Sequence, residues 1–361
     1  MVYTVSKVPA RPQVVIIGAG QAGLAVAYYL RRFQLEPDVD FVVLDRGPVT
    51  GGAWQFRWDA LRLGSAHKVN DLPGMDELGL SFENADRTLP AKDIVSGYYR
   101  RYEDHFDLKV HRPIVVSDVR NSRADLVVHH SEGATATQIL VNATGTWGSP
   151  FVPYYPGAST FRGRHVHTNG YVSAEEFRGQ NVVVVGGGTS AVGFLLELEH
   201  IAGSVSWASR RPIDYSTEHV RTIEGGIAAV RDADAAARAG KALPSVVSAT
   251  GVPLTRKVAA GISRGVLKER AMFASIEPDG VRWRDGSFTP ADALIWATGF
   301  RPELRHLAPL KLREKEGGVS VESGQVWTDP RVFLAGYGPF ASTVGANRSG
   351  RIIARQIMAM L

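Results

Sequence analysis

A strand that breaks at glycines and turns into a helix occurs twice in this chain. "QVVIIGAGQAGLA" starts at Gln13 and "NVVVVGGGTSAVG" at Asn181. Each contains an uninterrupted aliphatic run, Val14–Ile17 in the first and Val182–Val185 within the strand Asn181–Val185 in the second. A strand apolar on consecutive residues suits a parallel sheet covered on both faces, because a strand with one wet face would alternate. Helical patterns follow at Leu24–Arg32 and Ser190–Ile201. Both segments therefore read as βα units of an α/β protein with two Rossmann-like domains.

At 361 residues the chain has room for two cores. The first unit continues to a second strand, Phe41–Leu44, ending at Asp45. Residues 46–110 show weak periodicity and read as loops and short helices. Short alternating segments follow at Val115–Val119 and Leu126–His130, and the proline-rich "PFVPYYPG" (150–157) reads as a linker. The second unit has its next strand at Val205–Ala208, an inserted amphipathic helix at Ile227–Ala242, and a return at "ADALIWATGFRP". The end of the sequence reads as strand, glycine-rich loop and helix. The expected division is 1–157 and 296–361 for one domain, with 158–295 inserted as the other.

The first loop is Gly18-x-Gly20-x-x-Gly23. The first glycine permits the tight turn, the second lets the backbone approach a pyrophosphate, and the third lets helix and strand pack closely. The helix start then offers free N–H groups to phosphate. Asp45, 22 residues after Gly23, is placed to accept hydrogen bonds from ribose hydroxyls. The second loop is Gly186-x-Gly188-x-x-Ala191, with Ser190 opening its helix. Its following strand ends not in an acid but in Ser209, Arg210 and Arg211. A 2′-phosphate repels a carboxylate and favours guanidinium, so this site is expected to prefer NADPH, with NADH an open second donor. Two chemically different dinucleotides in one chain point to hydride transfer between them, with FAD and NADPH the natural pair.

The formal charge of +5 is spread along the sequence, which suits an anionic small ligand and gives no nucleic-acid stripe. The sequence contains no cysteine, excluding disulfides, thiolate metal sites and a thiol relay, and fitting a cytoplasmic setting. Residues 12–30 are uncharged and flanked by arginines, which leaves a leader or membrane segment as an alternative. Its glycines, and recurrence of the pattern mid-chain, argue for the dinucleotide loop and no membrane span.

Just ahead of the second loop, "FRGRHVHTNGY" places Phe161, Gly163, His167 and Tyr171 at every fixed position of F-x-G-x-x-x-H-x-x-x-[YF]. With this fingerprint the chain resembles the flavin-containing monooxygenases, class B flavoprotein monooxygenases related to the Baeyer–Villiger enzymes. Gly51, Gly52 and Trp54 look like that family's G-G-x-W, expected beside the flavin. "NATGTW" (142–147) and "WATGFRP" (296–302), the latter with Thr298 and Gly299, look like its two crossings between domains. Where many FAD proteins of this fold carry G-D, this chain has Gly336-Tyr337-Gly338, so flavin contacts there fall to backbone near Val344–Asn347.

The resemblance implies that NADPH reduces FAD, that O₂ adds at flavin C4a, and that the resulting hydroperoxide oxygenates a small soft nucleophile such as a sulfide or amine. Its active-site asparagine comes from the region after G-G-x-W, where Asn70 is the candidate and His67 the proton-donor alternative. His167 is expected to fix the linker rather than do chemistry. A peroxide-producing NADPH oxidase or flavin reductase, a Baeyer–Villiger enzyme and a redox sensor remain open, as does a homodimer.

Overall fold

The computed structural model describes residues 7–66, 69–216, 223–243 and 251–361. Along the chain run β1 (Val14–Ile17), α1 (Gln21–Arg32), β2 (Phe41–Leu44), α2 (Ala91–His105), β3 (Val116–Ser122), β4 (Asp125–His130), β5 (Gly133–Thr137), β6 (Ile139–Asn142) and β7 (Arg164–His167). Then come β8 (Asn181–Val185), α3 (Thr189–Leu198), β9 (Ser204–Ser209), α4 (Ile223–Arg238), α5 (Arg256–Arg264) and α6 (Thr343–Met360). Shorter strands are given by residue range.

The chain forms two compact units. One comprises Met1–Thr146, Val230–Pro244 and Pro302–Leu361; the other comprises Trp147–Ala229 and Ser245–Arg301. The first holds a six-stranded sheet in which β2, β1, β6 and Val332–Leu334 lie side by side and parallel. Val321–Glu322 and Gln325–Val326 extend it antiparallel. The second holds a five-stranded parallel sheet, ordered Arg270–Ala271, β9, β8, Ala293–Trp296, β7. Each is a Rossmann-like α/β arrangement.

The aliphatic runs have the expected cause. In β1, Val14 and Ile16 enter a core shared with α1, α2 and α6, while Val15 and Ile17 enter another shared with β3 and β4. Alternate side chains of a strand point to opposite faces, so both faces demand apolar residues.

Two elements differ from the sequence expectation. Residues 91–105 form a regular fifteen-residue helix within the stretch read as loops and short helices, with Val95, Tyr99 and Tyr102 buried. The period is there but diluted: arginines and acids fill the wet face, and large tyrosines supply the apolar one. The inserted helix lies at Ile223–Arg238, offset toward the N-terminus from the expected 227–242 and stopping before Gly240, whose φ is +63°.

The glycine loops differ in tightness. A Cβ at Gly23 would sit 1.8 Å from the Gly18 carbonyl oxygen. At the matching place of the second loop, Ala191 is fully buried and accommodated. Gly23→Ala should therefore destabilise the protein by about 3 kcal/mol or more through overpacking. Ala191→Gly should cost about 1–2 kcal/mol, from helix propensity and a lost methyl. Denaturant unfolding of the two variants measures this asymmetry.

Candidate cofactor and oxygenation site

At the end of β1 the chain turns through Gly18 at φ +105°, where a Cβ would lie 2.5 Å from the Ala143 carbonyl oxygen. The Gly18 N–H donates to the Leu44 carbonyl at 2.7 Å. Gly20 is the N-cap of α1, with no side-chain cap and no acid in the first turn. Thr255 and Ser342, in contrast, cap α5 and α6 through their hydroxyls. An uncapped first turn leaves orphan N–H groups and the positive end of the helix dipole for an anion. The residues present thus form a cradle that fits a dinucleotide pyrophosphate.

The G-G-x-W turn lies directly on this cradle. Gly51 and Gly52 have φ of +114° and +52°, and a Cβ on Gly52 would be 2.7 Å from the Gly20 Cα. Trp54 is buried in the core shared by α1 and α2. The Arg57 guanidinium carbon stands 5.4 Å from the centre of its ring, and burial lowers the Arg57 pKa to about 10.

Asp45, directly after β2, is buried. Its Oδ2 accepts the Ala19 N–H at 2.6 Å and its Oδ1 the Gly47 N–H at 2.7 Å. The carboxylate thus braces the phosphate loop, and a carboxylate has further lone pairs for ribose hydroxyls.

Across the sheet, a cavity of about 30 Å³ is lined by Asn142, Gly145, Gly336 and Tyr337, among others, at the carboxyl ends of β6 and Val332–Leu334. Ligands of open α/β sheets bind at such ends. Gly336, at φ +71°, packs against Ala22 of α1. The Tyr337 hydroxyl accepts the Val319 N–H at 3.1 Å, so the residue standing where G-D would put its acid is a strut. Val344 falls in the first turn of α6, which contains no acid.

Asn70 is half-buried, and its main-chain carbonyl accepts the Gln21 side-chain amide at 2.9 Å. His67 lies outside the described residues. Two polar groups escaped the sequence reading. One is the Gln21 amide with its partners Tyr99 and Asn347. The other is buried His306, whose Nε2 donates to Asn142 Oδ1 at 2.8 Å. Gln21 occupies a variable position of its motif, and no spacing marks a histidine 164 residues from its partner.

The second unit repeats the first loop's geometry. Gly186 has φ +139°, and a Cβ there would meet the Ala297 carbonyl oxygen at 2.2 Å. Its own carbonyl accepts Trp207 Nε1–H at 2.6 Å. Gly188 caps α3 with no side-chain bond and no first-turn acid, and Ser190 lies in that turn. Ser209 is buried, its hydroxyl donating to the Arg211 carbonyl at 2.7 Å, while Arg210 and Arg211 are exposed. Among the described residues neither arginine has an ion pair. The Thr298 hydroxyl donates to the Phe151 carbonyl. The Gly299 carbonyl accepts the Phe151 N–H and His167 Nε2, each at 3.0 Å. Thr298, Gly299 and His167 thus hold the segments where the chain enters and leaves this unit.

Residues 15–227 match the pyridine nucleotide-disulphide oxidoreductase family. The structure is similar to a flavin-containing monooxygenase from Stenotrophomonas maltophilia, at 31% identity and TM-score 0.81, covering 97% of this chain and 99% of that one. The sequence is 24% identical to an uncharacterized oxidoreductase, CzcO, of Bacillus velezensis, over 84% of this chain and 86% of that protein. It is 31% identical to a probable indole-3-pyruvate monooxygenase of Arabidopsis thaliana, over 55% of this chain and 47% of that protein. Among the described residues no helix is long and apolar enough to cross a membrane.

His306 generates a pH prediction. Burial pushes its imidazole down to about 4. The unfolded chain takes up this proton near pH 6.5, so below that value the unfolded state binds more protons. The contribution of neutral His306 is complete above about pH 6.5 and is lost as pH falls toward 4, by about 3 kcal/mol in all. His306→Gln keeps a donor for Asn142 and removes the titration. Urea unfolding at pH 7 and pH 5 should show the wild type losing more stability on acidification than the variant.

Proposed function

The chain belongs to the pyridine nucleotide-disulphide oxidoreductase family and, within it, to the flavin-containing monooxygenases, and from that premise we propose that it oxygenates a small soft nucleophile, a sulfide or amine, using FAD, NADPH and O₂. It is an NAD(P)H-dependent flavoprotein oxidoreductase; the substrate class and the preference for NADPH are the proposal. The observation that carries it is a pair of anion-ready glycine cradles with opposite chemistry at the following strand end, Asp45 in one and Arg210 with Arg211 in the other. The family's disulphide chemistry has no thiol to use here, since the sequence contains no cysteine.

In this reading the unit of residues 1–146, 230–244 and 302–361 holds FAD and the unit of residues 147–229 and 245–301 holds NADPH, a division that departs from the expected 1–157, 158–295 and 296–361 mainly in giving 230–244 to the first unit. The first turn of α1 binds the FAD pyrophosphate, and Asp45 accepts hydrogen bonds from the adenosine ribose. FAD, when bound, supplies the two-electron chemistry that activates O₂. Gly51, Gly52 and Trp54 shape the floor of the site, and Asn70 donates a hydrogen bond to the reacting oxygen. Arg210, assisted by Arg211, reads the 2′-phosphate of NADPH. The protein's contribution is positioning and exclusion of water, so no catalytic triad or metal is required.

A charge-assisted phosphate contact contributes about 1.5–3 kcal/mol. Arg210→Ala should therefore raise the KM for NADPH about 10–100-fold and leave that for NADH nearly unchanged. Equal losses for both nucleotides would show that Arg210 does not read the phosphate. For the reaction itself, the test is product analysis with a panel of sulfides, amines and ketones under NADPH and air. Sulfoxide or N-oxide is expected in proportion to NADPH consumed. Peroxide alone would replace the proposal with an oxidase, and lactone or ester from ketones with a Baeyer–Villiger enzyme.

A further inference from the structure

Residues 70–73 belong to no helix or strand, yet each of their four carbonyls is bound. Asn70 O accepts from Gln21 Nε2 of α1 at 2.9 Å, and Asp71 O from Asn347 Nδ2 of α6. Leu72 O accepts the Met75 N–H at 3.1 Å, and Pro73 O the Tyr102 hydroxyl of α2 at 2.7 Å. Three helices thus reach one irregular segment with side chains. Main-chain carbonyls out of regular structure take whatever donors exist, and a segment with all of them taken has one conformation.

Gln21 is the centre of this arrangement. Its Nε2 donates a second bond, to Asn347 Oδ1 at 2.9 Å, and its Oε1 accepts the Tyr99 hydroxyl at 2.6 Å. Tyr99 is fully buried, and desolvation raises its pKa, so it remains a donor at every working pH. These partners fix the orientation of both amides: Tyr99 can give only to an oxygen, and Asn70 O can take only from a nitrogen. Gln21 opens the helix whose first turn forms the phosphate cradle.

We infer that Gln21 is a positioning residue for oxygenation: it locks the Asn70 main chain to the cradle helix, so that the Asn70 side chain is held at a fixed place relative to the bound dinucleotide. The inference rests on the reading of Asn70 given above. With the lock removed, Asn70 no longer holds its place and the reaction uncouples. NAD(P)H, O₂ and a proton then give NAD(P)⁺ and H₂O₂, two electrons passing from nicotinamide to oxygen with no oxygen atom reaching substrate.

Gln21→Met keeps the length of the side chain and removes both donors; Asn347→Leu breaks the same clamp from α6 should the first variant fold poorly. Two quantities are read in FAD-loaded protein. One is hydrogen exchange in a peptide covering residues 69–75, expected to accelerate about tenfold. The other is peroxide formed per NADPH consumed in the presence of a sulfide, expected to rise about tenfold. The ratio is insensitive to a merely slower enzyme. Faster exchange with unchanged coupling would make Gln21 structural only and overturn the inference. So would unchanged exchange in both variants. A wild-type protein that yields only peroxide would remove the functional reading, and the inference with it. A coupled wild type with coupled variants would overturn the inference alone.

Discussion

The site geometry depends on a close contact made once in each unit. A carbonyl at the end of one parallel strand presses against the first glycine after its neighbour. A Cβ on Gly18 would come within 2.5 Å of Ala143 O, and one on Gly186 within 2.2 Å of Ala297 O. The same hydrogen bonds frame both contacts. Ala143 N–H donates to Ile17 O at 2.8 Å, and Ala297 N–H to Val185 O at 2.7 Å. The glycine N–H groups in turn bond Leu44 O and Ala208 O, on the other neighbouring strand. Three strand ends thus converge on a residue that can have no side chain. The turn they fix aims the following helix and leaves its first N–H groups without a side-chain cap, free for an anion. The two A-T-G segments are the other half of this contact, which explains why they recur with the loops.

What then distinguishes the units is chemistry at the next strand end. In the first, a buried carboxylate takes two loop N–H groups and holds the cradle from below. In the second, the equivalent place carries a hydroxyl tied to its own turn and two exposed guanidinium groups. Under the NADPH proposal, a 2′-phosphate there would meet exposed guanidinium groups, so selection between nucleotides would weaken as ionic strength rises.

The sequence made these features legible for a physical reason. Strands buried on both faces, glycines at positive φ and charges at strand ends leave local, one-dimensional signatures. The strands Val14–Ile17 and Asn181–Val185, and the places of Asp45 and Arg210 directly after strands, are legible in that way. Helix α2 does not stand out in sequence from the loops and short helices around it, since its buried face is built largely from tyrosines, which also suit polar stretches. Gln21 with Asn347 and His306 with Asn142 were invisible because each is a pairing across 326 and 164 residues. A lone amide or imidazole has no period. Its role appears only when the fold brings the partner, and for Gln21 the partner arrives on the closing helix α6.

That late arrival matters for how the chain is made. Helices α1 and α6 touch backbone to backbone: a Cβ on Gly350 would stand 2.7 Å from the Ala25 methyl carbon and 2.8 Å from its carbonyl carbon. During synthesis α1 emerges first and waits for more than 300 residues before its covering helix exists. Until then the apolar face ending in Leu24, Ala27 and Leu30 has no permanent lid, and the sheet lacks Val332–Leu334 beside β6. The loops and strands of the second unit, 147–229 and 245–301, are already translated by that stage. The contacts that complete this core are therefore of long sequence separation, the kind that slows folding and prolongs exposure of apolar surface. The helix that carries the first cradle gains its covering partner only when the last eighteen-residue helix is made.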